Sequence, residues 1–154
     1  MSLSDQIQKD MVEAMRGKDA AVLSTLRMVR AAIKNKEIDK RAPLTDPETQ
    51  QVLSTLIKQR KDSIEQFTKG GRQELADKEA AEIKVIERYL PREADEETLL
   101  QGVRQAVAEA GSPTIKEMGT VMKAAMAKFT SAGLRVDGKR VSEIVRQELT
   151  PKNS

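Results

Sequence analysis

Apolar residues recur along this chain at spacings of three and four, the repeat of helices with one buried face, and no stretch alternates as a half-buried strand would. The first face carries Leu3, Ile7, Met11 and Ala14 or Met15, with Ser2 placed to cap the helix and Gly17 to end it. Asp19 caps a second helix, expected from Ala20 to Ile38, that buries Val22, Leu26, Val29 and Ile33. After a loop from Ala42 to Thr45, the pair Asp46-Pro47 reads as the N-cap and first residue of a third helix. That helix runs to Lys69, where Gly70-Gly71 breaks it. A fourth starts at Arg72 and stops at Leu90, because Pro91 disfavours helical backbone in the residue before it.

Beyond Pro91 the character changes. Arg92 to Glu97 is polar and acidic, a linker over 92–94 leading into a helix capped by Asp95. This helix carries Leu99, Val103, Ala106 and Val107 and ends at Gly111; Ser112-Pro113 opens the next segment, with Met118, Met122 and Met126 in a row. Gly133 and Gly138 flank a turn, after which Asp137 caps a last helix bearing Val141, Ile144, Val145 and Leu149. The pattern predicts an all-α protein: an N-terminal domain of about four helices over 1–91, a small three-helix C-terminal domain over 95–149, and a tail over 150–154. The second domain is barely long enough for a core of its own and is expected to be the less stable half.

Composition narrows the chemistry more than the fold. None of the 154 residues is histidine or cysteine, and Tyr89, Phe67 and Phe129 are the aromatics. Imidazole proton transfer, thiolate attack and His or Cys metal ligation are excluded. No cofactor or metal is expected, and no enzymatic activity. The longest apolar runs are four residues, Ala20 to Leu23 and Ala124 to Ala127, too short for a membrane span. Asp5, Lys9, Asp10 and Glu13 stand where an export signal needs apolar residues, and the absence of cysteine suits a cytoplasmic protein.

Net charge is only +3, so the placement of charge matters more than its sum. From Arg16 to Arg41 eight basic residues face three acidic ones, whereas Arg72 to Tyr89 holds four basic and five acidic. On the second helix Arg27, Arg30 and Lys34 fall within about 60° of one another beside the apolar stripe. Such an edge suits a phosphate backbone; the other reading is a solvated face. With so few aromatics, any nucleic-acid contact is expected to be with backbone and shape rather than stacked bases.

A second pattern lies on helices three and four. Arg60 falls inside the apolar stripe of one, and Glu79 and Glu82 inside that of the other. An antiparallel hairpin turning at Gly70-Gly71 pairs residues whose numbers sum to about 141, which sets Arg60 against Glu82 with Glu79 one turn away. A structural ion pair fixing hairpin register is the favoured reading, and an acid–base or metal-binding carboxylate pair the alternative. The Gly133 to Arg140 segment lacks the spacing of a phosphate loop and reads as a turn feeding a capped helix. The methionine row reads as core filler, with an adaptable partner surface as the alternative.

The blocks Leu26-Arg27-Met28, Ala31 through Asp39, Lys58 through Ile64, Tyr89-Leu90-Pro91, Met118 through Met122 and Asp137-Gly138-Lys139 with Val141 resemble the YqeY family of small bacterial proteins, essentially end to end. The same module is similar to the C-terminal tail of GatB, a component of the tRNA-dependent amidotransferase. That resemblance implies a four-plus-three helical fold and a non-catalytic tRNA-associated module. Its partners would be tRNA, aminoacyl-tRNA or the amidotransferase machinery, reached either through RNA contacts or as a protein-interaction adaptor. A carbon–nitrogen ligase with glutamine as amide donor would be implied by family relation alone. Arg27, Arg30 and Lys34 are then expected on the phosphate backbone, with Lys123, Arg135, Lys139 and Arg140 as a second set. Lys123 and Ala127 stand where glycine and proline are expected from the resemblance, and Val136 where alanine is.

Overall fold

A computed structural model describes residues 1–111 and 113–151. The chain divides between Leu90 and Pro91 into two compact units. Among the described residues the first holds α1 (Leu3–Arg16), α2 (Ala20–Lys40), α3 (Asp46–Lys69) and α4 (Gln73–Glu87). The second holds α5 (Glu96–Glu109), a 3-10 turn (Ile115–Glu117), α6 (Met118–Ser131) and α7 (Gly138–Leu149). None of the described helices is long and apolar enough to cross a membrane. Ser112, expected with Pro113 to open the next segment, and the tail beyond Pro151 lie outside the described residues.

Local signals set most of the helix ends. Ser2 accepts from the Asp5 N–H and Asp5 returns the bond to the Ser2 N–H, a reciprocal cap that also holds the Asp5 carboxyl below its usual range. At α3 the cap is Thr45 rather than Asp46, with Glu48 as its reciprocal partner and Pro47 inside the first turn. Asp46 is turned elsewhere, accepting the Leu3 N–H at 3.0 Å and so tying the start of α1 to the start of α3. α2 runs two residues past its expected end and stops with Arg41 at φ 61°, a left-handed cap made without glycine. α4 ends at Glu87, earlier than expected, and Arg88, Tyr89 and Leu90 follow in tighter turns, each N–H donating to the carbonyl three residues back.

In the first unit α3 packs chiefly on α4 and α1 on α2, while α2 also crosses α4. Their shared core is Ile7, Leu26, Val29, Ile33, Leu53, Ile57 and Ile86, all buried, with Val22 half-buried at its margin. Tyr89 closes one end. It is buried, and its hydroxyl donates to Asp10 Oδ2 at 2.6 Å, joining α1 to the segment after α4. Burial and the facing carboxylate push the phenol well above its ordinary pKa.

The second core gathers Leu99, Val103, Ala106, Val121, Ala125, Phe129, Val141, Ile144, Val145 and Leu149. Met118, Met122 and Met126 are half-buried against it, the position of core filler. Residues 92–94, expected as a linker, are held within this unit: the Ala94 N–H donates to the Arg135 carbonyl at 2.9 Å, and Glu93 and Arg135 form an isolated bridge. Gly102 sits mid-helix because of Phe129. A Cβ there would lie 2.4 Å from a ring carbon, and the ring is buried and cannot swing away.

Gly102→Ala gains about 1 kcal/mol of helix propensity but overpacks the ring by about 1–3 kcal/mol, so chemical denaturation should show the second unit destabilised. Glu48 is held down to about 2 by the Lys40 ammonium, 2.5 Å from Oε1, and then by its bonds to Thr45. A depressed carboxyl contributes stability above its unfolded value of about 4.3, and that contribution is lost as pH falls toward 2. An NMR titration should find the Glu48 midpoint near 2, and Glu48→Gln should remove this part of the acid sensitivity.

Candidate interaction interface

Arg60 occupies the junction of α2, α3 and α4 with 14% of its side chain exposed. Its Nε donates to Glu82 Oε2 at 2.9 Å, with Glu79 Oε2 at 3.8 Å. Nη1 donates to the Leu56 carbonyl at 3.0 Å, and Nη2 meets Met28 Sδ at 3.2 Å. The guanidinium therefore spans from its own helix to the two neighbours. Glu79 and Glu82 both turn toward this cation, the arrangement of a register-fixing pair. Among the described residues no group of three or more acids is placed to hold a metal ion.

The basic residues expected to contact RNA separate into two groups. On α2, Arg27 and Lys34 are exposed and Arg30 is half-buried. None of the three forms an ion pair or side-chain hydrogen bond among the described residues. Glu37, three residues after Lys34, has its Oε2 accepting the Leu44 N–H at 3.1 Å.

The second group is largely engaged within its own unit. Arg140 donates through Nε to Glu96 at 2.7 Å, contacts it again through Nη2, and bonds Glu143 at 3.0 Å. Arg140 in turn holds the Glu96 carboxyl below its usual range. Arg135 donates to the Pro91 carbonyl at 3.2 Å and lies 3.7 Å from Glu93, with a side chain mostly buried. Lys139 is exposed, and its backbone N–H caps onto Asp137 at 3.1 Å. Lys123 is exposed on α6. The structure brings Arg27, Arg30 and Lys34 together on one edge of α2, whereas in the second group Arg135 and Arg140 are engaged by partners of their own unit. Sequence reading missed the diversion of Glu37 and the exposure of Ile38 beside that edge; neither has a local signal, since each depends on where Leu44 and α3 return.

The family model for Yqey-like proteins matches residues 4–149. The chain belongs to that family. Among its relatives are fungal proteins named "Altered inheritance of mitochondria protein 41, mitochondrial". That of Kluyveromyces lactis is 45% identical over 84 residues, covering 54% of this chain and 45% of the relative. That of Vanderwaltozyma polyspora is 44% identical over 85 residues, covering 54% and 46%. A longer match, to Pyrenophora tritici-repentis, is 27% identical over 152 residues and covers 96% of this chain and 81% of the relative. The matched region spans about half the length of the first two relatives.

These names correct three expectations. The assignment as a tRNA-amidotransferase tail module does not stand, because the relatives carry a mitochondrial-inheritance name. Nor do the bacterial and cytoplasmic assignments, because those relatives are fungal and named as mitochondrial. Two of them have a plain physical reason. A cationic helix edge fits carboxylates as well as phosphates, and a lack of cysteine excludes disulfides without choosing among reducing compartments.

The Arg60 junction carries its own test. Arg60→Ala leaves two half-buried carboxylates without their cation and should cost about 1–3 kcal/mol, less than a fully buried pair because solvent screens it. Double-mutant cycles should give a larger coupling for Arg60 with Glu82 than with Glu79, following the distances.

Proposed function

We propose that this chain is a non-catalytic docking module, its two units acting as separate four-helix and three-helix domains, with the outer edge of α2 meeting an anionic macromolecular partner. The observation that carries this reading is the contrast between the two basic groups. Arg135 and Arg140 hold their own unit together, whereas Arg27, Arg30 and Lys34 lie on one edge with no intramolecular acid. Unpaired cations on a rigid helix steer and retain an anionic surface at little reorganisation cost. The composition supports the non-catalytic part, since no imidazole or thiol is available and the carboxylates Glu79 and Glu82 are committed to Arg60.

Immobilised heparin serves as a polyanion probe. Arg27→Glu with Lys34→Glu should weaken retention about tenfold and flatten its salt dependence. Lys9→Glu with Lys78→Glu, an equal change of net charge at exposed sites elsewhere in the same unit, should change it about twofold. Equal effects from the two pairs would make the α2 edge an ordinary solvated face.

A further inference from the structure

The α2 edge is more than a row of charges. At 100° per residue, Arg27, Ala31, Lys34 and Ile38 follow one line along about 16 Å of helix, with Arg30 flanking it. Ala31 is exposed, and Ile38 is 65% exposed, one of the few large apolar side chains of the described residues left in solvent. The line therefore alternates cation, small residue, cation, apolar residue, at the spacing along which a second helix packs.

Glu37 would ordinarily complete this surface by neutralising it. It lies one turn from Lys34, but its carboxylate is committed to the Leu44 N–H, where the chain turns into α3. The fold thus engages this acid elsewhere and leaves Arg27 and Lys34 exposed, with Arg30 half-buried beside them. A phosphate backbone would gain nothing from Ile38 or from the open face over Ala31. An amphipathic helix with carboxylates flanking an apolar side chain would use all of it. The nearest aromatic rings offer no stacking platform either: Tyr89 is buried and committed to Asp10, and Phe67 lies on α3.

We propose that the outer edge of α2 is the docking site for an acidic amphipathic helix of a partner protein. Its carboxylates meet Arg27, Arg30 and Lys34, and one apolar side chain seats on Ile38 over Ala31. This rests on the docking reading above and narrows its occupant from any polyanion to a protein helix.

The test titrates the full chain with two labelled helical peptides of equal net negative charge, one carrying leucines between its glutamates and the other glutamines in their place. The leucine peptide should bind about tenfold more tightly, with amide shifts centred on residues 27–38. Ile38→Gln, a surface change that leaves the core untouched, should bring the two peptides within about twofold while heparin retention stays unchanged. Equal binding of both peptides by the unaltered chain, or a preference that survives Ile38→Gln, overturns the acidic-helix occupant. Those results leave the heparin contrast standing; loss of that contrast removes the docking reading itself.

Discussion

Arg60 is the constraint on which the first unit turns. A guanidinium with little solvent access must find partners for its donors, and it finds them on three helices: Leu56 on its own, Glu82 and Glu79 on α4, and Met28 on α2. Apolar stripes alone would let α3 and α4 slide by a turn with modest loss, because hydrophobic burial is not directional. A desolvated cation is less forgiving, since a slip would strand it beside apolar side chains. The register of the hairpin and the seat of α2 on it meet at this residue.

A similar economy appears at the helix ends of the first unit. Asp46 leaves the capping of α3 to Thr45 and reaches across to the Leu3 N–H, so one acidic side chain ties two helix starts together. Glu37 does likewise, giving up a neighbouring lysine to satisfy Leu44. In both cases an acid within reach of a local role serves a backbone donor outside its own helix. The consequence for function is indirect but physical: acids spent on closing the fold are not available to mask the cations of α2.

The second unit spends its charges inward. Arg140 bridges the starts of α7 and α5 through Glu96, and Arg135 holds the segment around Pro91 and Glu93. Gly102 admits the Phe129 ring at a separation no other residue would allow. These features make a small three-helix core specific where its size gives little apolar area to spare.

The helical class, the N-caps at Ser2, Asp19, Asp95 and Asp137, the break at Gly70-Gly71 and the Arg60–Glu82 facing were legible in the sequence, because each depends on spacing along one helix or across one tight turn. The cap at Thr45 lies in a Thr-x-x-Glu pattern, whereas the sequence reading rested on Asp46-Pro47 alone. The left-handed stop at Arg41 carried no glycine to announce it. What tertiary structure alone decided was which charges are free. Whether Arg140 meets Glu96, 44 residues away, or Glu37 meets the Leu44 N–H across a loop depends on how the chain returns, and a side chain's type fixes its charge but not the company it keeps.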